Sequence, residues 1–179
     1  MICIVTAIFS EAKGLIEYFG LKQIDKKPFL IYANDNISLI VSGMGKLNSA
    51  IATTYIAKDK QIKKIVNIGI CGTNNIMKEK GSLCDIKAVI DATTGKKISI
   101  AKKGEILYTF DNIVYKKESL KKNILIDMEG YGFYKAAKIF TNKENIKIYK
   151  IISDYLSTEH ITNNFIYNLI KQNISEIDI

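Results

Sequence analysis

Four segments of the chain end apolar runs with residues that can move protons or hold a ligand. Thr6-Ala7-Ile8-Phe9-Ser10-Glu11 puts a carboxylate, Glu11, just after one such run. Ser42-Gly43-Met44-Gly45-Lys46-Leu47 ends a second run with a glycine-rich turn that opens a helix. Ile68-Gly69-Ile70-Cys71-Gly72-Thr73 ends a third. The fourth is a pair, Asp127-Met128-Glu129-Gly130 and Ser153-Asp154, each following its own run. Carboxylates at strand ends need solvent, a partner or a chemical role, and the role open to them is general acid and base work. Glycines there let the backbone adopt φ > 0 and approach a ligand, so Gly43, Gly45 and Gly72 are candidate binding positions. Amides at a helix N-terminus favour an anion or a polar oxygen.

Each segment alone has a plainer explanation. Glu11 suits the dipole of the helix it begins. The SGMGK turn has the spacing of neither a Walker loop nor a dinucleotide fingerprint. Gly69 and Gly72 are equally consistent with a simple strand exit. Cys71 reads as a small buried residue, because no histidine stands near it in sequence to activate a thiolate.

The elements that must position these residues alternate in type, which predicts one α/β domain over residues 1–179. Continuous Ile/Val-rich runs, as expected of strands buried on both faces, predict strands over Ile2–Ala7, Phe29–Tyr32, Ile37–Val41, Ile65–Ile70, Leu83–Val89, Ile106–Phe110, Ile124–Asp127 and Ile146–Ile152. Helices are expected from a Ser10 cap to about Phe19, over Leu47–Lys58, over Gly132–Phe140 and over Ile161–Lys171. In the second helix Leu47, Ala50, Ile51, Thr54 and Tyr55 form the apolar face, a candidate for core or for a subunit contact. Asp91–Gly104 reads as a loop or loose hairpin. In such a fold the strand ends converge, so the four segments are expected to share a cleft.

Composition narrows the choices. The chain has 179 residues, with 47% hydrophobic and 25% charged, as in ordinary globular proteins. No apolar run reaches the ~18 residues of a membrane span, and the apolar start lacks a basic leader, so neither membrane association nor a signal peptide is expected. All 26 basic residues are Lys. That removes arginine fingers and forked clamps on phosphate. The lysines, including the pairs Lys26-Lys27, Lys63-Lys64 and Lys116-Lys117, are scattered rather than striped, so the +8 charge is no argument for nucleic-acid binding. A single His argues against a Ser-His-Asp triad and against His-rich zinc sites. Three widely spaced Cys give no disulfide framework and fit a reducing, cytoplasmic setting.

Taken in order, Ser-Glu near the start, SGMGK, NIGICG, DMEG and ISD resemble the nucleoside phosphorylase/nucleosidase superfamily. The closest resemblance is to its 5′-methylthioadenosine/S-adenosylhomocysteine nucleosidase branch, and it runs from Met1 to about Leu156. The resemblance implies a three-layer α/β/α domain on a central mixed sheet, no metal or organic cofactor, a small-molecule nucleoside substrate and a homodimer or larger homo-oligomer. It implies that Glu11 activates the attacking water and that Ser42 with the Gly43–Gly45 turn lies beside the nucleophile and the ribose. It further implies that Met128 and Glu129 meet the ribose, that Asp154 protonates a purine at N7, and that Ser153 supports Asp154. Cleaving an N-glycosidic bond builds positive charge on the sugar and negative charge on the base. Carboxylates stabilise the first and an acid neutralises the second. An ionised Glu11 opposite a protonated Asp154 would be the signature of this chemistry.

The chain also departs from its relatives. Lys150 stands where they often carry Arg, and Asp127 where they carry Glu. The chain is shorter, mainly between Gly95 and Ile124, so that Tyr108-Thr109-Phe110-Asp111-Asn112-Ile113 is what remains of a base-enclosing stretch; the lid from Ser157 onward is reduced as well. Absent Arg favours hydrolysis over phosphorolysis, with Lys46 or backbone amides left as the phosphate holders a phosphorylase would need. A non-catalytic nucleoside-binding relative is the third reading.

Overall fold

The computed structural model describes residues 1–58, 61–115, 120–157 and 161–179. The Lys116-Lys117 pair and part of the expected lid, residues 158–160, lie outside them. Apolar alternation on both faces of the strands builds the architecture. The elements run β1 (Ile2–Thr6), α1 (Phe9–Phe19), β2 (Lys22–Asp25), β3 (Leu30–Ala33), β4 (Ile37–Val41), α2 (Lys46–Ala57), β5 (Lys64–Thr73), β6 (Leu83–Asp91), β7 (Lys97–Ser99), β8 (Glu105–Thr109), β9 (Leu125–Asp127), α3 (Gly130–Ala137), β10 (Ile146–Asp154) and α4 (Asn163–Asn173). Among the described residues no helix is long and apolar enough to cross a membrane.

The sheet is mixed. β1 pairs in parallel with β4 and β5, and β5 pairs in parallel with β10. β2 and β3 extend the β4 edge as antiparallel strands. On the other side the strands close on themselves: β5 to β10, β10 to β6, β6 to β8, β8 to β9, and β9 back to the last two residues of β5. Odd and even side chains then feed two different cores. Cys3, Val5, Ile65 and Ile148 face α2 and α3. Ile4, Val66, Ile68 and Ile151 face α1 and α4. This is the expected three-layer arrangement on a mixed sheet; the closed ring of five strands was not foreseen.

Most expected strands are found within a few residues of their predicted bounds. β2 has no counterpart among them, because all four of its residues are exposed and the segment has no apolar signal. The stretch expected as a loop or hairpin forms a hairpin, with β7 antiparallel to β6. The Ser10 cap is corrected: α1 starts at Phe9 with Ile8 at the N-cap, and it is Glu11 that accepts the amides of Ala7 and Ile8. α3 starts two residues earlier than expected, at Gly130, and α4 begins at Asn163.

Of the two readings of the apolar face of α2, core and subunit contact, the first is excluded. Leu47, Ile51 and Tyr55 are 73%, 49% and 44% exposed, whereas Ser49, Ala52, Thr53, Ile56 and Ala57 are buried. The inward face carries small residues because α3 crosses so closely. A Cβ on Gly132 would run into the carbonyl oxygen of Lys46 at the start of α2. Gly132→Ala must therefore push the two helices apart, and overpacking of this kind costs about 1–3 kcal/mol. The expected outcome is a lower urea midpoint with an unchanged slope, read by circular dichroism.

Candidate active site

The ends of β1, β5, β9 and β10 open onto one cavity of about 280 Å³. Its wall carries Glu11, Asp127, Glu129 and Asp154, together with Ile8, Met44, Ile70, Cys71, Gly72, Met128 and Ser153. Asn112, Ile113 and Val114, in and next to the stretch expected to remain of a base-enclosing segment, line it too. The convergence expected from the strand ends is thus observed. Among the described residues on this wall there is no basic side chain.

The balancing charge lies behind the wall. Lys150 on β10 is 1% exposed, with Nζ 3.0 Å from Asp127 Oδ2 and 4.0 Å from Glu129 Oε2. Burial works against its charge, but Asp127, Glu129 and Glu11 outweigh that and hold the ammonium above its ordinary range. Asp127 is held on three sides. Its Oδ2 also accepts the Gly130 amide at 2.7 Å, and its Oδ1 accepts the Thr109 hydroxyl at 2.7 Å.

Glu11 is 3% exposed. Its Oε2 accepts Ala7 N at 2.8 Å and Ile8 N at 3.2 Å, and its Oε1 accepts Ile70 N at 2.9 Å. Gly69 makes this seat possible, since a Cβ there would stand 2.6 Å from Glu11 Oε1. Burial pushes the Glu11 carboxyl upward, while Lys150 and the three amides pull it back. The expected ionised Glu11 therefore depends on Lys150.

Glu129 Oε1 accepts the amide of Gly45 at 2.8 Å. Gly45 has φ of +104°, a conformation that favours glycine, and it turns that amide toward α3. The anion expected at the glycine-rich turn is thus the protein's own carboxylate. Burial raises the Glu129 carboxyl to about 7, against the pull of Lys150.

Asp154 is 7% exposed. The Ser153 hydroxyl lies 2.6 Å from its Oδ2 and 3.1 Å from the Cys71 carbonyl, and Ser157 N donates to its Oδ1 at 3.2 Å. Ser153 has one proton for two acceptors. Gly72 leaves room for this group, because a Cβ would come 3.2 Å from Asp154 Oδ1. The two glycines of the third segment thus make space for carboxylates.

Other expected positions fall outside the cavity wall. Ser42 donates to Thr6 O and Gly43 O at 3.1 and 2.7 Å, and with Gly43 it anchors the turn from behind. Lys46 is corrected as a phosphate holder: its Nζ lies 2.6 Å from Asp91 Oδ1 and 2.8 Å from Asp111 Oδ1. Cys71 lines the cavity, but burial pushes its thiol well above the usual range, as expected of an inert residue. Lys150 was legible only as a departure from a pattern. Nothing in the spacing of residues marks it as the cation beneath the carboxylates.

Comparison with known proteins bears on the fold and the family. Residues 2–118 match the model of the family described as the phosphorylase superfamily. No curated protein matches the chain. Futalosine hydrolase of Helicobacter pylori superposes with a TM-score of 0.81 at 17% identity, covering 97% of this chain and 94% of that one. The 5′-methylthioadenosine/S-adenosylhomocysteine nucleosidase of the same organism, bound to butyl-thio-DADMe-Immucillin-A, gives 0.76 at 16%, covering 98% of each chain. That of Neisseria meningitidis, in complex with methylthio-immucillin-A, gives 0.76 at 16%, covering 96% of this chain and 94% of that one.

The raised Glu129 carboxyl has a stability consequence of definite sign. Unfolded, it titrates near 4.5; folded, near 7. The folded state binds that proton more tightly, so the contribution is complete below about pH 4.5 and is lost as pH rises through about 7. Urea unfolding between pH 5 and 8 is expected to show stability falling with pH. Glu129→Gln is expected to flatten the slope.

Proposed function

The chain belongs to the phosphorylase superfamily, and from that membership we propose that it hydrolyses the N-glycosidic bond of a purine nucleoside or 5′-thio-nucleoside without phosphate. The observation that carries the reading is the cavity wall, with Glu11, Glu129 and Asp154 along it and the countercharge of Lys150 buried behind it on the fully enclosed Asp127. Such a wall suits a cationic transition state and disfavours a phosphate dianion. Both groups that could have held phosphate are engaged: Lys46 by Asp91 and Asp111, and the Gly45 amide by Glu129.

In this reading Glu11 takes a proton from water as its oxygen bonds to C1′. Burial makes Glu11 a stronger base than a free carboxylate. The C1′–N9 bond breaks, its electron pair enters the purine, and Asp154 delivers a proton to N7 with Ser153 as its hydrogen-bonding partner. Glu129 accepts hydrogen bonds from the ribose hydroxyls, beside Met128. Asn112, Ile113 and Val114 cover the base.

The test is base release from 5′-methylthioadenosine, S-adenosylhomocysteine, adenosine and inosine, with and without phosphate. Release is expected without phosphate, and Asp154→Asn and Glu11→Gln are each expected to lower kcat by about 10²-fold or more while leaving the fold intact. Release that requires phosphate would overturn the hydrolase, and full activity in Asp154→Asn would overturn its role as the acid.

We assign the outward face of α2, with Leu47, Ile51 and Tyr55, to a homodimer contact. Three large apolar side chains one helical turn apart on one exposed face are what such a contact buries. Ile51→Glu is expected to halve the mass measured by sedimentation equilibrium.

A further inference from the structure

The chain that lines the carboxylate cavity after β8 has little backbone support. The β8 ladder ends at Phe110, whose amide donates to the Asp127 carbonyl at 2.8 Å. Beyond it, no backbone amide or carbonyl of residues 111–115 is hydrogen-bonded among the described residues. Yet Asn112, Ile113 and Val114 all line the cavity. Among the described residues two side chains fix them there. Val114 packs on the small apolar cluster of Ile124, Ile126 and Leu156. Asp111 is the polar tether: its Oδ1 lies 2.8 Å from Lys46 Nζ, and its Oδ2 accepts the Thr93 hydroxyl at 2.6 Å. Lys46, and then Thr93, hold the Asp111 carboxyl below its usual range.

Lys46 serves two carboxylates unequally. Asp91, with a side chain 11% exposed, takes its Nζ at 2.6 Å and is itself held by the Thr94 hydroxyl at 2.6 Å and the Thr93 amide at 3.3 Å. Asp111 is 53% exposed. The Asp91 contact therefore fixes the ammonium, and the Asp111 contact is the half that solvent and salt can loosen. A segment with so few hydrogen bonds opens at low cost, so one ion pair can govern its position. The same turn reaches the other side of the cavity. Lys46 directly follows Gly45, whose amide holds Glu129 Oε1 at 2.8 Å. Ile113, although it lines the cavity, keeps 49% of its surface in solvent, apolar area that a planar ligand would cover.

We infer that Lys46 and Asp111 are positioning residues for the ligand: their ion pair sets Asn112, Ile113 and Val114 against it from a turn already fixed to Glu129. The inference rests on the nucleoside reading of the cavity. Neither residue touches the reacting atoms. They hold the covering segment equally well before and during bond cleavage, so their contribution falls on binding rather than on the chemical step. It also makes binding of an uncharged ligand sensitive to salt, because the screened charges belong to the protein.

The experiment uses the full chain and two uncharged nucleosides. 5′-Methylthioadenosine reports turnover. Its 7-deaza analogue has no N7 to protonate and reports calorimetric binding alone. A partly exposed ion pair contributes roughly a two- to fivefold change in affinity. Asp111→Asn is expected to raise KM and Kd by that factor, with kcat changed by less than about twofold. Raising sodium chloride from about 0.05 to about 0.5 M is expected to weaken binding to the wild type by a similar factor and to leave Asp111→Asn unchanged. Lys46→Met is expected to cost no more with Asp111→Asn than alone. Unchanged binding in Asp111→Asn overturns the inference, as do a salt response that survives in that variant and losses that add in the double variant. If base is released with none of these effects, the positioning role fails and the nucleosidase reading stands. If binding shows them but no base is released, hydrolysis fails and the positioning role stands. If a folded protein binds neither nucleoside, both are overturned.

Discussion

One buried ammonium holds the carboxylate wall together. Lys150 sits almost without solvent beneath Asp127 and Glu129, within the electrostatic reach of Glu11. Burying that many acids without a counterion would protonate them or unfold the site. With it, Asp127 becomes a fixed strut, tied also to Thr109 and to the first amide of α3. The strut sets where α3 begins and thereby where Glu129 points. Glu129 in turn reaches across to Gly45 and pins the turn before α2. The order of dependence runs from one point charge on β10 through two carboxylates to two helices.

Parts of this were legible in the residues. Strands buried on both faces announce themselves as unbroken Ile/Val runs, and carboxylates at their ends mark a cleft. Glu11, Glu129 and Asp154 could be named from the order of the motifs and the family it resembles, since each acid alone had a plainer explanation. Other parts were hidden for physical reasons. An exposed edge strand such as β2 has no apolar signature. The sequence left the apolar face of α2 open between core and subunit contact, because its inward face is built from Ser, Ala and Thr, which only the close approach of Gly132 explains. Lys150 follows the alternation of β10 like any core residue, so its charge looked like a departure in identity rather than the centre of the site.

Net charge was the least informative number. The chain carries a formal +8, yet its described cavity wall is acidic, because scattered lysines face solvent while the acids gather at strand ends. Two lysines that might have opposed this are already partnered: Lys46 with Asp91 and Asp111, and Lys150 with Asp127. Lys46 also ties the start of α2 to Asp111, the residue before the Asn112-Ile113-Val114 segment over the cavity. A surface potential thus says nothing of the field a ligand meets inside.

The closed ring of strands has a consequence for the order in which the molecule can assemble. β5 is complete at Thr73, but the strands that flank it along the ring, β9 and β10, end at Asp127 and Asp154. While the chain emerges during synthesis, β5 must wait for the chain to grow from Thr73 to Asp154 before that edge is covered. Contacts so distant in sequence form slowly, and an open apolar strand edge invites pairing with other chains in the meantime. Lys150 and Asp154 arrive on the strand that closes the ring. The cavity carboxylates therefore come under one field only when the last edge is sealed, and a partly made chain exposes its stickiest surface at the stage when the cavity is not yet formed.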